Sequence, residues 1–514
     1  MSDAHEKSTA LFLKPAKLIV FLFVLILILG GIAVRLIDLD DLPLDFAATR
    51  QLHSFIMARG LYFEMDTPET NAIPEAKREF AIIAGRSEPQ IEPPVMEYMV
   101  AMIYRIIGGE NMLVARLLSI SFWIIGGIPL FLLARKFTTI NGSLIALAIY
   151  LFIPFGTIAS RSFQPDPLMV MLIIWAQYFQ HKWLDDDKLS SAIFAGLFTG
   201  LAVLIKTPAV FFVGFTMIAV VFLKGFVHSL RDWRVYLVAG LSLIPALVFY
   251  TISATAGGNA GAIFGARWVP ALFSDPKWYL QWFSLAKYVV GYFPIILGLL
   301  GFFLINEKKS RVFYFCMWFG YLLYGFMFAY HIYTHDYYHL PLIPIVALGV
   351  GVVGGEIFVR LESRSLNWVL RSLVILLLLF SIGLAVMNSR GRMIAKSYRH
   401  EAKYWQELGE LIGQDSSVIA LTHDYGYRLN FWGFIQPSIW PNQGDLVVKD
   451  LLGSTDPEFE TLFKLRTEGK DLFLVTLSHD FELQENLRNY LFENFPYKDG
   501  DGFYLFDLNK PLQP

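Results

Sequence analysis

Long apolar runs separated by short polar segments fill the first three quarters of the 514-residue chain. Each run is close to the roughly 20 residues that an α-helix needs to cross a bilayer. The first run covers residues 17–37, and further runs lie at approximately 113–134, 140–159, 167–183, 190–205, 208–223, 235–254, 288–305, 312–330, 340–359 and 369–387. The pattern predicts a mainly α-helical, polytopic membrane protein with about eleven transmembrane helices.

The pattern changes after residue 388, where mixed polar and apolar positions replace the long runs. Amphipathic positions predict helices over 399–412 and 481–495. Short apolar runs predict buried strands at 417–422 and 472–477, and 502–508 is interpreted as a closing strand. We therefore divide the chain into a transmembrane domain, residues 1–388, and a small soluble α/β domain, residues 389–514.

Basic residues fall in alternate loops, which predicts the orientation of the chain. The segment 95–109 is apolar but short and charged, so we interpret it as an interfacial helix within one long outer loop, residues 38–112. With a cytoplasmic N-terminus, the C-terminal domain is extracytoplasmic in a plasma-membrane protein. The cytoplasmic loops then collect the following basic residues, as the positive-inside rule requires: Lys7, Lys14, Lys17, Arg135, Lys136, Lys182, Lys188, Lys224, Arg231, Arg234, Lys308, Lys309, Arg311, Arg360, Arg364 and Arg371.

Composition supports this class and adds little else. Hydrophobic residues make up 55% of the chain and charged residues only 17%, values that are rare in soluble domains. The net charge of −2 gives no indication of nucleic-acid binding. The only cysteine, Cys316, cannot form an intrachain disulfide.

An acidic stretch follows directly on the first apolar run. Asp38, Asp40, Asp41 and Asp45 precede Arg50 where a membrane helix would surface. Ionisable groups at that depth are costly unless they line a polar cavity or take part in chemistry. The stretch is therefore the first candidate for a functional site.

Short motifs occur in a characteristic order along residues 15–360. They are PLDFAATRQ at 43–51, IMARG at 56–60, EPP at 92–94, ARLLS at 115–119, SRSFQPD at 160–166, KTP at 206–208 and YYHLP at 337–341. In this order they resemble the polytopic GT-C class of glycosyltransferases, which use polyprenyl-phosphate sugars. The similarity is to the RgtA/B/C/D-like and protein O-mannosyltransferase-like branch, which includes the aminoarabinose transferases of lipid A. Many relatives have an Asp-Glu pair in the first loop, which is absent here, and in others two histidines stand where this chain has Ala47 and Ala48.

The resemblance implies a GT-C-like fold and transfer of a hexosyl or pentosyl group, with inversion, to a glycan, lipid or protein acceptor on the outer face. Such a transfer needs a carboxylate to take the acceptor's proton and positive charge to stabilise the departing lipid phosphate. We also keep open a transporter or flippase of lipid-linked substrates and an inactive relative. No cofactor is predicted, and a divalent metal has no support.

Asp45 is the first candidate for the catalytic base because of its spacing to Arg50 and Gln51. The alternative is that Asp45 caps a helix beginning near Phe46. Asp40 and Asp41 are the reserve candidates, with solvated loop charges as the alternative. Arg50 is expected to orient the base or to contact a phosphate.

Later motifs supply candidate substrate contacts. The resemblance implies that Asp166 is a second acidic group, Arg161 a phosphate contact and Lys206 the carrier-phosphate lysine. A local ion pair and a lysine that reaches toward water are the alternatives. Glu92 is a candidate for acceptor binding or metal ligation, or else a solvated glutamate.

A histidine-rich segment precedes the tenth apolar run. His331, His335, Asp336 and His339 suggest a metal site, but no complete ligand set is visible in the sequence. A contact between Tyr338 or His339 and the lipid phosphate is the preferred functional interpretation. An aromatic belt at the membrane interface is the alternative.

Overall fold

The computed structural model describes residues 17–255, 268–362, 367–451 and 457–512. Lys7, Lys14 and Arg364, which contribute to the predicted orientation, lie outside these residues. The described chain is mainly helical and carries one small β-sheet.

Nineteen α-helices lie between residues 17 and 393 of the described chain. Their bounds are α1 Lys17–Arg35, α2 Ala48–Phe63, α3 Pro68–Asn71, α4 Glu75–Ser87, α5 Val95–Ile107, α6 Met112–Phe137, α7 Ile140–Phe152, α8 Pro154–Ala159, α9 Asp166–Asp186, α10 Leu189–Ile205, α11 Ala209–Leu223, α12 Phe226–Arg231, α13 Trp233–Thr255, α14 Pro276–Val290, α15 Tyr292–Leu304, α16 Lys308–Met327, α17 Ala329–Thr334, α18 Leu342–Glu362 and α19 Asn367–Met393. Short 3₁₀ helices cover Pro270–Ser274 and Asp336–His339.

Every predicted span coincides with a helix, but not every span is one straight helix. Within the described residues, five helices are long and apolar enough to cross a membrane, or six if the bent pair α14–α15 is one span. Three shorter apolar helices, α7, α10 and α11, add to them. The chain is therefore a multi-pass membrane protein, while the number eleven stays a prediction.

The predicted spans 140–159 and 288–305 are interrupted for local reasons. The span 140–159 breaks at Ile153, which precedes Pro154 and has an extended ψ of 125°. Proline disfavours the helical conformation of the residue before it, so α7 ends there. The span 288–305 divides at Gly291, whose φ of 87° suits glycine, and the helices on either side are bent by 93°.

By its internal contacts the described chain forms two compact units. The first consists of the described residues within 17–40, 89–96 and 113–396, and the second of those within 41–88, 97–112 and 397–512. Most of the predicted outer loop thus belongs to the same compact unit as the C-terminal region. The predicted domain boundary at residue 388 stays a prediction.

Small residues allow close helix packing in the first unit. Gly142 on α7 faces Gly351 on α18, and a Cβ at Gly142 would lie 2.4 Å from the Gly351 carbonyl oxygen. A Cβ at Gly200 on α10 would lie 2.1 Å from the carbonyl oxygen of Leu241 on α13. Such pairs let helix backbones approach closely inside a membrane.

A five-stranded mixed sheet is the centre of the second unit. Its strands are β1 Val418–Leu421, β2 Ser438–Ile439, β3 Leu472–Val475, β4 Tyr497–Gly500 and β5 Phe503–Asp507, in the order β2-β1-β3-β5-β4. β1 pairs in parallel with β2 and β3, and β5 pairs antiparallel with β3 and β4.

Helices cover this sheet, and the fold class inferred from the sequence is confirmed. The helix predicted over 481–495 is two helices, which meet at Gln484. The helices of this region are α20 Glu401–Ile412, α21 Tyr427–Gly433, α22 Gln443–Leu451, α23 Phe459–Thr467, α24 Ser478–Leu483 and α25 Glu485–Asn494, with a 3₁₀ helix at His423–Gly426.

Candidate active-site residues

Lys206 and Asp166 form a buried ion pair in the first unit. The Lys206 Nζ lies 2.9 Å from Asp166 Oδ1 and 2.8 Å from Oδ2, and the two residues are only 4% and 1% exposed. Asp166 is the first residue of α9, and Lys206 occupies the extended link between α10 and α11. The break between helices therefore places the ammonium beside the start of a third helix.

Aromatic rings surround the same ammonium. The Nζ lies 5.4 Å from the ring centre of Tyr337 and 5.3 Å from that of Tyr338, a range in which the face of the ring attracts a cation. His339 is buried and both its ring nitrogens are engaged: Nδ1 with the Tyr321 hydroxyl at 2.7 Å and Nε2 with the Ile332 carbonyl oxygen at 2.8 Å. The structure therefore places Tyr338 next to Lys206, whereas His339 is buried and bonded to Tyr321 and Ile332.

An apolar groove of about 730 Å³ lies in the same unit. Trp282, Phe283, Phe302, Phe303 and Tyr321 are among its lining residues. The Tyr321 hydroxyl that bonds His339 also accepts a hydrogen bond from Trp282 Nε1 at 3.0 Å. Bonded and neighbouring side chains thus connect the groove to the surroundings of Lys206.

Buried guanidinium groups hold the backbone at the start of the acidic stretch. Arg161 Nη2 donates to the Asp38 carbonyl oxygen and Arg116 Nη1 to the Leu39 carbonyl oxygen, each at 3.0 Å. Asp38 itself has a left-handed φ of 50°. Two arginines from later motifs therefore fix the chain where α1 ends.

Arg35 was missed by the sequence reasoning. Its Nε donates to Ser160 Oγ at 2.7 Å, and its Nη1 donates to the Gly31 and Leu151 carbonyl oxygens, both at 2.8 Å. A lone arginine in the last turn of an otherwise apolar first helix was the available signal. It links α1 to the residue immediately before Arg161.

The other first-loop aspartates differ in their surroundings, and only Asp41 and Asp45 belong to the second unit. Asp41 is 7% exposed, and its Oδ1 and Oδ2 accept the Tyr398 backbone N–H at 3.0 and 2.9 Å. Asp41 therefore has a structural role, since it holds the backbone of Tyr398. Asp40, which belongs to the first unit, is exposed, and Asp45 is half-buried.

Asp45 does not stand at the N-cap position of the helix that follows it. The N-cap position of α2 is held by Ala47, in the left-handed conformation with φ 45° and ψ 51°. Gln51, in the first turn of α2, donates from Nε2 to the carbonyl oxygens of Pro43 at 3.0 Å and Phe46 at 2.6 Å. This contact explains the spacing within PLDFAATRQ, because the glutamine holds the turn that carries Asp45.

A buried polar cluster on α2 was also missed. His53 Nδ1 lies 2.7 Å from Glu88 Oε2, and the Tyr427 hydroxyl donates to the same oxygen at 3.0 Å. Burial, followed by the negative charge of Glu88, raises the pKa of Tyr427, so its hydroxyl stays protonated as a donor. Ser54 donates to Glu97 Oε1 at 2.6 Å. Histidine and glutamate 35 residues apart gave no pairing signal in the sequence.

A second ion-pair network connects the first loop to the C-terminal region within the same unit. Arg428 bonds Asp424 Oδ2 at 2.6 Å and Glu401 Oε2 at 2.9 Å, and Thr49 Oγ1 donates to Asp424 Oδ1 at 2.9 Å. Burial alone would raise the pKa of Glu401, but hydrogen bonds from Trp405 and Arg428 hold it below its ordinary value.

The remaining candidates are placed less distinctively. Glu92 is half-buried in the first unit, and Arg50 is half-buried on α2 near Tyr427. The His331 and His335 rings stack with centroids 5.1 Å apart. Among the described residues, no three His, Cys, Asp or Glu side chains are arranged to hold a metal ion.

The helical membrane architecture with a small C-terminal sheet is that of the GT-C glycosyltransferases. The sequence model of the dolichyl-phosphate-mannose-protein mannosyltransferase family matches residues 91–251. No curated protein sequence matches the chain. The resemblance inferred from the sequence motifs is confirmed.

Solved structures share this fold across nearly the whole chain. ArnT from Cupriavidus metallidurans in the apo state is 13% identical, with a TM-score of 0.59, and the match covers 95% of this chain and 98% of that one. ArnT from the same organism bound to undecaprenyl phosphate is also 13% identical, with a TM-score of 0.55, and the match covers 96% of this chain and 98% of that one. A third similar structure is the Archaeoglobus fulgidus oligosaccharyltransferase AglB in complex with an inhibitory peptide and a dolichol-phosphate. It is 11% identical, with a TM-score of 0.58, and the match covers 97% of this chain and 75% of that one.

Proposed function

We propose that the protein is a membrane glycosyltransferase that moves a glycosyl group from a polyprenyl-phosphate donor to an acceptor hydroxyl. The buried Lys206–Asp166 pair under two tyrosine rings is the observation that carries this proposal. The GT-C fold supports it, since similar structures hold undecaprenyl phosphate and dolichol-phosphate.

Lys206 binds the lipid phosphate in this proposal. Its ammonium has three N–H donors, of which Asp166 takes at most two, so one is left for a phosphate oxygen. The ion pair holds the side chain in place before the ligand arrives, which lowers the entropy cost of binding. Arg161, fixed on the Asp38 carbonyl, is a second proposed phosphate contact.

The apolar groove accommodates the polyprenyl chain. Its aromatic and aliphatic lining suits isoprene units, and its wall residue Tyr321 is bonded to His339, next to Tyr338. The hydrocarbon and the phosphate of one donor molecule would therefore find complementary surroundings in one unit of the protein.

Asp45 is the proposed base. As the acceptor oxygen attacks the anomeric carbon, Asp45 takes the hydroxyl proton, and the bond from that carbon to the phosphate oxygen breaks. The electron pair of that bond leaves with the polyprenyl phosphate, and a single displacement inverts the anomeric centre. Asp45 is preferred over Asp41 because both Asp41 oxygens accept the Tyr398 N–H, and over Asp40 because Gln51 holds the turn around Asp45.

The orientation remains part of the proposal. The basic loops lie on the cytoplasmic side by the positive-inside rule, which places the acidic first loop and the C-terminal region outside. Arg50 is then proposed to orient the base, and Glu92 to contact the acceptor.

A transfer assay on membranes tests the proposal. Membranes containing the wild type are incubated with a panel of labelled polyprenyl-phosphate sugars, and transfer is compared with Asp45→Asn, Asp40→Asn and Asp166→Asn at equal protein level. Loss of a general base typically costs about 10²- to 10⁴-fold in rate, which we expect for Asp45→Asn. The exposed Asp415→Asn is the matched control and should transfer normally.

Two outcomes contradict different parts of the proposal. Normal transfer by Asp45→Asn removes Asp45 as the base, and loss confined to Asp40→Asn moves the role there. Absence of transfer from every donor, together with movement of labelled lipid between leaflets, replaces the transferase with a transporter.

A further inference from the structure

Gln164 carries a buried amide that the fold leaves unbonded. The residue is 0% exposed, and across the described residues neither Nε2 nor Oε1 has a hydrogen-bond partner. Its backbone N–H is bonded normally, to the Ser162 carbonyl oxygen at 3.0 Å. A buried amide without partners loses its hydrogen bonds to water and gains nothing in return.

The same region satisfies another buried amide completely. Gln180, on α9, donates from Nε2 to Thr199 Oγ1 and to the Val213 carbonyl oxygen, both at 3.0 Å, and its Oε1 accepts from Thr216 at 2.6 Å. The fold can therefore accommodate a buried glutamine in this bundle. The unbonded amide of Gln164, on the same part of the chain, therefore needs a partner that is not part of the folded protein, and a ligand is one such partner.

The position of Gln164 indicates which ligand. It lies in the turn between α8 and α9, three residues after Arg161 and two before Asp166, the partner of Lys206. The residue before Arg161, Ser160, accepts the hydrogen bond from Arg35. The turn thus carries one proposed phosphate contact, Arg161, before the glutamine, and the partner of the other, Lys206, after it.

The two atoms of the amide restrict the chemistry of the ligand. An amide offers donors at Nε2 and an acceptor at Oε1. An ionised phosphate diester has acceptors only, so it would leave Oε1 unbonded, and a hydrocarbon chain bonds neither atom. A sugar hydroxyl both donates and accepts, and neighbouring hydroxyls can bond both atoms of one amide.

We propose that Gln164 binds hydroxyl groups of the donor's sugar and thereby contributes to the choice of sugar. This inference rests on the proposed function, because it places the sugar of a polyprenyl-phosphate donor beside the phosphate contacts. The isolated amide and its place in the turn carry it.

Thermal unfolding of the purified full-length protein tests the inference with two lipids. One is the polyprenyl-phosphate sugar that the wild type uses best in the transfer panel, or the whole panel in turn if none is used. The other is the same polyprenyl phosphate without a sugar. A ligand that binds only the folded state raises the unfolding temperature according to its affinity. The difference between the two shifts therefore measures the contribution of the sugar.

Gln164→Met keeps the length of the side chain and removes the amide. Because the amide is unbonded in the free protein, we expect the unliganded variant to be as stable as the wild type or more stable. The rise in unfolding temperature caused by the sugar-free lipid should be the same as in the wild type. The additional shift caused by the sugar should be lost, with about 10- to 100-fold weaker affinity for the glycosylated donor, as for two lost hydrogen bonds.

Gln180→Met is the matched control, with Gln180→Glu as a second variant if the first does not fold. Loss of its bonded amide should lower stability and leave the sugar-dependent shift unchanged. Gln164→Asn, which keeps the amide on a shorter side chain, should give an intermediate sugar-dependent shift.

Each outcome decides between named alternatives. An unchanged sugar-dependent shift in Gln164→Met overturns the inference and leaves an ordered water as the partner of the amide. A destabilised Gln164→Met also overturns it, since the amide would then have a structural partner. A wild type that neither lipid stabilises contradicts the proposed function itself, which a lost sugar-dependent shift does not.

Discussion

Removal of the Lys206 ammonium separates the structural and functional roles of the buried ion pair. Asp166 is 1% exposed, so in Lys206→Met no water replaces the two contacts at 2.8 and 2.9 Å. Breaking such a buried pair on one side typically costs about 3–5 kcal/mol, because an uncompensated charge remains. We therefore expect Lys206→Met to lower the free energy of unfolding by about that amount.

The double variant Lys206→Met/Asp166→Asn removes both charges and should be more stable than the sum of the single changes predicts. A coupling of about 1–3 kcal/mol is expected for groups in direct contact. Denaturant unfolding in detergent, followed by tryptophan fluorescence, measures the four proteins of the cycle. Because phosphate binding needs the ammonium itself, the double variant should remain inactive in the transfer assay although it folds.

Two results would refute this reasoning. Additive effects of the two single changes would mean that the pair is not energetically coupled. Restored transfer in the stable double variant would mean that Lys206 serves only to neutralise Asp166, and the phosphate site would have to be sought elsewhere.

Three further predictions concern stability. Since folding lowers the pKa of Glu401, the ionised carboxylate contributes stability that is complete above about pH 4.5 and is lost as the pH falls through the folded pKa. The fluorescence of Trp405, which bonds Glu401, should follow this loss, and an identical acid transition in Glu401→Gln would contradict it. Arg428→Met leaves Glu401 and Asp424 without their shared cation and should lower the free energy of unfolding by up to about 3 kcal/mol. Arg488→Met, at an exposed ion pair, should lower it by less than about 0.5 kcal/mol, and equal losses in the two variants would argue against the network. Gly200→Ala places a Cβ 2.1 Å from the Leu241 carbonyl oxygen and should lower the unfolding temperature by separating α10 from α13. Gly214→Ala, whose Cβ would meet Val210 Cγ2 at an ordinary contact distance of 3.8 Å, should not lower it, and similar temperatures for both would refute this packing argument.

The helices of the membrane region could be predicted because each apolar run is a local signal. The breaks at Ile153 and Gly291 were less visible, although Pro154 and a glycine with positive φ explain them. Apolar length alone does not distinguish a straight span from a bent pair. The positions of the apolar runs were therefore predictable from sequence, whereas their division into straight and bent helices depended on the three-dimensional path of the chain.

The candidate site was predictable only in part, because side-chain pairing depends on contacts between distant segments. The sequence singled out Lys206 and Asp166 separately but offered no way to pair them across 40 residues. In the sequence, Gln51 was visible only through its spacing from Asp45. Its hydrogen bonds to the turn that carries Asp45 depend on the path of the backbone. The cluster of His53, Glu88 and Tyr427 had no local signal.

The composition of the second unit has a consequence for biosynthesis. Thr49 and Asp424 are 375 positions apart and Glu88 and Tyr427 are 339 apart, yet each pair is hydrogen-bonded. A ribosome that adds about 5–20 residues per second needs roughly 15–60 s to pass from residue 112 to residue 397. During that interval Thr49 and Glu88 on the early loop lack Asp424 and Tyr427, so the loop stays without these hydrogen bonds while the membrane helices are inserted. Nascent chains arrested before residue 397 should accordingly be cut by protease within residues 41–88, and full-length chains should resist.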